Sequence, residues 1–320
     1  ATAVPWDYEI ETNYEKFIEP LTKVHIPTFV APAVWNWNEV FPDYHKSFYN
    51  LNGLTAAGKK LGTLGMLNTG WTDCGQTLYR QSLPGLAFGA AAAWQSSMVD
   101  TNTFFNDYCK LEYPEAAAAE VAPALEDLSR VEEMFESILN NATQHGFWRD
   151  PLASSNYTAR LEKHDADLHE ARLLAEDAEE HLMRAQKMAP QDDTLKSLLI
   201  ASRLFDYLGM KCLYAVEWSH YFRDLQKNPD PKLVTLYVGI QMNAQYHSMM
   251  ADLMDGITEL REPYREAWLE EYLPYRLGTA MAKWDAEQEH WTRTWQKLNH
   301  LLGSRKKDEP FPSIEAIKVE

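Results

Sequence analysis

The sequence predicts an α/β barrel fragment, the last three βα units of a TIM barrel, followed by an all-α helical bundle. Three observations predict it. Short apolar runs recur three times in the first 95 residues, each ending in a cluster of aromatic and polar side chains; helical segments separate them; and beyond residue 156 strand signals give way to long helical periodicities.

The first run, Ala1 to Pro5, ends in Trp6, Asp7 and Tyr8. Residues 13–22 read as a helix, with Tyr14, Phe17, Ile18 and Leu21 on one face. The second run starts at His25 and ends in Trp35, Asn36, Trp37 and Asn38. A helix is expected over 44–61, interrupted near Asn52 and Gly53. The third run, from Leu61, ends in Asn68, Thr69, Trp71 and Asp73, and a helix of small residues opened by Pro84 follows to Trp94. Strand, helix, strand, with every polar end at the same place in the unit, is the pattern of right-handed βα units sharing one functional edge. A complete barrel takes ~250 residues, so the remaining strands are expected from upstream polypeptide or from another chain.

The expected organisation is therefore a C-terminal barrel part over 1–95, a connecting helical and irregular segment over 96–155, an antiparallel helical bundle over 156–302 and a tail over 303–320. Within 96–155 the clear helical stretch is 125–140. In the bundle, Leu161, Leu168, Ala175 and Leu182 fall seven apart with Ala171, Ala178 and Ala185 interleaved, a narrow seam for a neighbouring helix. Further helices are expected over 193–225, 231–260, 263–271 and 278–302, the last with Trp284, Trp291, Trp295 and Leu298 as its buried stripe.

Charge and cysteine content exclude several function classes. The 320 residues carry a net charge of -17, which argues against nucleic acid or an anionic membrane as partner, because binding phosphates needs clustered Lys and Arg. The one dense basic cluster is Arg305-Lys306-Lys307, near the terminus. No apolar run approaches the ~20 residues of a membrane span, and the first residues show neither a basic region nor a signal-peptide core. Cys74, Cys109 and Cys212 are far apart and odd in number, so buried or free thiols are expected rather than a disulfide framework or thiolate metal site. No cofactor is expected.

The strand ends are the strongest candidate site: Trp6, Asp7 and Tyr8; Trp35, Asn36, Trp37 and Asn38; Trp71 and Asp73. Indole faces stack on the C–H face of a sugar ring, while Asp and Asn bond hydroxyls at its rim. That is the composition of a saccharide pocket.

The segments Val4 to Tyr8, Ala31 to Asn38 with Phe41-Pro42, and Gly65 to Asp73 followed by Pro84-Gly85-Leu86-Ala87 and Ala91-Ala92-Ala93-Trp94 resemble the last three βα units of family 20 glycoside hydrolases, the β-N-acetylhexosaminidases. The helical remainder, including 261–269, is similar to an extension that some bacterial members carry. The resemblance implies a glycan with terminal N-acetylhexosamine as partner and an extracellular or periplasmic location. It also implies a substrate-assisted retaining mechanism, in which the 2-acetamido oxygen attacks the anomeric carbon while a Glu protonates the leaving oxygen and an Asp orients the acetamide. The Trp-x-Glu of the family's final strand is matched by Trp71-Thr72-Asp73, with the shorter carboxylate, and a Trp of the sixth strand by Trp6. No Asp-Glu pair of the required kind occurs in 1–95, so the general acid is expected outside this chain, and the chain alone is expected to be inactive. A non-catalytic carbohydrate-binding role is the first alternative.

The second alternative lies in the helical half. Glu217-Trp218-Ser219-His220 and Glu287-Gln288-Glu289-His290 are both Glu-x-x-His on expected helices. Two such motifs with two further helical carboxylates build a di-iron or di-manganese oxidoreductase centre.

Overall fold

A computed structural model describes residues 1–306 and 309–319; Lys307 of the basic cluster and residues 308 and 320 of the tail lie outside the described residues. About 68% of the chain is helical and 4% strand, and this overturns the α/β barrel fragment: the protein is predominantly all-helical. Its strands form two sheets of two strands each, β1 (Phe29–Val30) with β3 (Gly65–Met66) and β2 (Ala33–Val34) with β4 (Thr69–Gly70), both parallel.

Proline explains why the apolar runs do not become full strands. Pro5, Pro27 and Pro32 sit inside them and bring no N–H donor, so a ladder cannot run through. Their carbonyls still accept, from Ala31 N to Pro5 at 3.1 Å, Ala3 N to Pro27 at 2.8 Å and Thr69 N to Pro32 at 2.9 Å. Single parallel bridges, Ala3 with Thr28 and Trp6 with Ala31, dock the first run beside the second.

The chain forms two compact units. One comprises Ala1–Glu133, Ala142–Gln144 and Leu174–Ser202; the other comprises Met134–Asn141, His145–Leu173 and Arg203–Glu320. The expected divisions at 95 and 155 do not separate them, because residues 96–133 belong with the first 95. That stretch is helical: α4 (Phe104–Glu112) and α5 (Glu115–Leu139) fill what the sequence suggests is mixed structure.

In the first unit, α1 (Glu15–Thr22) and α2 (Tyr44–Lys60) pack on the extended segments, burying Tyr14, Ile18, Val30, Leu54 and Ala57 together. Asp43 starts α2 by accepting from Lys46 N at 2.8 Å, an N-cap bond. The helix continues unbroken through Gly53, where the Tyr14 ring occupies the space a Cβ would need. Small residues let α3 (Leu83–Trp94) approach closely: a Cβ on Gly85 would collide with Val34 and one on Gly89 with Asn68. Phe48 and Phe88 stack at 4.0 Å under α3, and Phe104 closes over both.

The second unit holds α7 (Ser155–Lys163), most of the long α9 (Asp193–Lys227), α11 (Met249–Glu271) and α12 (Leu277–Ser304). The helix expected over 231–260 is broken: α10 (Pro231–Val234) passes into a π-helical segment, Thr235–Met242, before α11 begins at a Ser248 cap. Pro263 lies inside α11 instead of opening a helix. The seam residues Leu161, Leu168 and Ala171 of this unit are fully buried, as are Ala175, Ala178, Leu182 and Ala185 of the first; Trp284, Trp291 and Leu298 are buried too, whereas Trp295 is 42% exposed. Among the described residues no helix is long and apolar enough to cross a membrane.

Candidate functional site

Trp6, Tyr8, Trp37, Trp71 and Asp73 line one cleft of about 740 Å³ in the first unit, with Val4, Ala31, Leu67 and Thr69 between them. The extended segments bring these residues together from three places in the sequence. Trp6 makes the bridge to Ala31, Trp37 lies just beyond β2, and Trp71 follows β4. The rings form a continuous row: Trp6 to Tyr8 at 5.2 Å, Tyr8 to Trp37 at 5.3 Å and Trp37 to Trp35 at 4.3 Å. The Tyr8 hydroxyl accepts from Trp71 Nε1 at 3.0 Å, which fixes the two edges of the cleft against each other. Trp6 and Trp71 remain 65% and 47% exposed, so indole faces meet solvent where a ligand can displace it.

The other expected contacts hold the cleft in place without lining it. Asn36 is buried; its Nδ2 donates to Ser82 Oγ at 2.6 Å, its Oδ1 accepts from Trp71 N at 3.1 Å, and its carbonyl accepts from Thr77 Oγ1 at 2.9 Å. Asn38 gives its carbonyl to Gln144 N at 3.1 Å. Asp7 turns back on its own chain, accepting from Glu9 N at 3.0 Å, and burial raises its carboxyl above the usual aspartate range against the opposing pull of that bond. Trp35 stands behind Trp37, with Lys46 Nζ 4.5 Å over its ring and its Nε1 donating to Glu39 Oε1 at 3.3 Å.

Sequence reasoning missed Glu39 and what surrounds it. In the interior of the first unit Glu39 meets Thr143, 104 residues further along the chain, and Glu132, 11 residues before that threonine, and no local pattern signals such a meeting. A larger cleft of about 940 Å³ lies in the same unit, with α1, α2 and α5 contributing to its lining. Two of its rim acids are already paired, Glu15 with Lys60 at 2.7 Å and Glu133 with His45 at 3.7 Å. The smaller aromatic cleft is the better candidate.

In the second unit the four residues of the metal alternative are each engaged with other side chains. Glu217 accepts from Tyr221 Oη; His220 Nε2 lies 2.9 Å from Glu162 Oε1; Glu287 Oε1 holds Lys211 Nζ at 3.0 Å and Trp291 Nε1 at 3.0 Å; His290 sits 3.8 Å from Asp150. Each of the four is taken up by a different partner, and burial lowers the His290 imidazole despite the Asp150 charge. Among the described residues no group of three or more His, Cys, Asp or Glu is arranged to hold a metal ion. Cys109 and Cys212 are buried free thiols pushed up by burial to about 12, far from thiolate chemistry.

No family model matches the chain, and no curated protein matches it.

Proposed function

We propose that the cleft of the first unit binds a terminal N-acetylhexosamine and forms part of a glycoside hydrolase acting on such residues. The observation that carries this reading is the convergence of Trp6, Tyr8, Trp37, Trp71 and Asp73 on one open cleft. Aromatic walls suit the apolar face of a pyranose, and a single rim carboxylate suits a pair of its hydroxyls. The cleft, not a barrel, is the basis of the reading.

Asp73 is the one carboxylate among the described lining residues. Glycoside hydrolysis requires two groups, one to protonate the leaving oxygen and one to attack or to orient the attacking acetamide. In this reading Asp73 binds hydroxyls, the acetamido oxygen of the substrate is the nucleophile, and a partner polypeptide supplies the acid. The same lone carboxylate favours a second reading, a saccharide-binding module without turnover.

Calorimetric titration of the chain with chitotriose tests both. Binding is expected, and Trp71→Ala is expected to weaken it about tenfold, the equivalent of one good ring-stacking contact. No heat of binding and no change in tryptophan emission at millimolar sugar would overturn the assignment. A chromogenic N-acetylglucosaminide separates the two readings: turnover once a polypeptide that complements the chain is added supports the hydrolase, and binding without turnover in that complex supports the module.

A further inference from the structure

Behind the aromatic row lies a buried pair of carboxyls that the saccharide reading does not use. Glu39, just after the Trp35 to Asn38 segment, and Glu132, on α5, are 3% and 0% exposed. They meet at Thr143. Its N and Oγ1 lie 2.9 and 3.1 Å from Glu39 Oε2, and the same Oγ1 lies 2.9 Å from both oxygens of Glu132. Glu132 Oε2 also accepts from Phe41 N at 3.3 Å, and Thr143 Oγ1 accepts from Val40 N at 2.8 Å.

Proton counting makes this arrangement informative. The threonine hydroxyl has one hydrogen and faces oxygens of two different carboxyls, so it donates to one acid and a carboxyl O–H would complete the contact to the other. Among the described residues no Lys, Arg or His side chain is paired with either carboxyl. The charged groups that bear on the pair are each other and Asp43, the α2 cap, which is held by Lys46 at 3.2 Å. Two carboxylates in such a site cannot both ionise without a large penalty. Burial, then Glu39, then Asp43 hold the Glu132 carboxyl well above the glutamate range, against the Thr143 bond.

The pair reaches the cleft through one side chain. Glu39 Oε1 accepts the Trp35 indole N–H at 3.3 Å, and the Trp35 ring lies 4.3 Å from Trp37, a wall of the cleft. We propose that Glu39 and Glu132 share one proton, and that this shared proton keeps Glu39 seated so that it positions Trp35, and through it Trp37, in the cleft-forming arrangement. Glu39 and Glu132 are thus positioning residues that make the cleft dependent on pH. The saccharide part of this statement rests on the reading above; the seating of Trp35 does not.

The direction follows from linkage. A carboxyl raised in the folded state binds its proton more tightly there than in the unfolded chain. Stability from the pair is complete below the ordinary glutamate value of about 4.3 and is lost as pH rises from there through the raised value. If the cleft follows the same proton, affinity falls by up to about tenfold per pH unit within that window.

The experiment follows tryptophan emission, unfolding midpoint and chitotriose affinity of the full chain from pH 4.5 to 8.5, roughly the span in which a raised carboxyl titrates. The wild type is expected to show a one-proton change in emission. Glu132→Gln, a neutral isostere of the protonated acid, is expected to keep the acid-form emission throughout and to unfold later than wild type at the alkaline end. Trp35→Phe, which leaves both carboxyls in place, is expected to abolish the emission change even if the Gln variant does not fold. An emission change that persists in either folded variant, or its absence from the wild type, overturns the proposal. Emission behaving as expected with no chitotriose bound at any pH sustains the proton-sharing pair and removes the saccharide reading alone.

Discussion

Asn36 shows how one side chain can be essential to a cleft it never lines. Its amide is divided between Ser82 Oγ and the backbone N of Trp71, so it sets where the Trp71 wall begins. Asn36→Ala leaves buried partners unpaired and is expected to lower unfolding stability by about 1–3 kcal/mol, measured by denaturant titration, and to weaken saccharide binding as well. A strand-end Asn reads alike from sequence whether it contacts a ligand or the protein. Only its partners, 35 and 46 residues away, decide. Glu287 makes the same point in the second unit. Its Glu-x-x-His spacing suggests a metal ligand, yet it neutralises Lys211, which is 1% exposed and also donates to the Phe147 carbonyl. Glu287→Ala strands that ammonium and is expected to cost about 3–5 kcal/mol in the same measurement. Metal analysis of the purified protein is expected to find less than about one iron or manganese per chain, because the centre needs both Glu-x-x-His motifs in one site.

At the level of single elements, local pattern and tertiary contact compete, and glycine shows which prevails. In isolation Gly53→Ala should favour α2 by about 1 kcal/mol. The Tyr14 ring fills the space the new methyl would enter, so the expected outcome is a net loss of about 1–3 kcal/mol, the range for overpacking. Gly278, in the first turn of α12, has open space around it, and Gly278→Ala is expected to raise the thermal midpoint. The two substitutions are chemically identical, and their opposite signs check the packing directly. The long helices α9 and α12 were legible from sequence nearly to their ends. The apolar runs were not. A short Val- and Ala-rich stretch fits a buried strand or an extended connection equally well, and the prolines inside the first two left only two-residue ladders.

Taken whole, the molecule carries a net charge of -17, and most of its ion pairs are exposed and worth little individually. Self-repulsion is then the dominant long-range term, so the thermal midpoint at pH 7 is expected to rise when salt is increased from about 0.01 to 0.15 M, as the Debye length shrinks from about 30 to 8 Å; a midpoint that falls would mean that specific ion pairs outweigh repulsion. The chain also passes between its two units several times, α5, α8 (Asp165–Met188) and α9 each contributing to both. That is why the composition shifts point to boundaries at 95 and 155 that the units ignore. What the amino-acid order determined by itself was local: which stretches are helical, which helix faces are apolar, and which aromatic residues are left at the ends of apolar runs. Those follow from side-chain periodicity, a property of neighbours. Tertiary structure alone decided that the runs stay extended segments in a helical protein, that Trp6, Tyr8, Trp37, Trp71 and Asp73 share a cleft while Asn36 and Asn38 do not, and that Glu39 meets Glu132. Those depend on contacts between residues far apart in the chain, whose energies no local window contains.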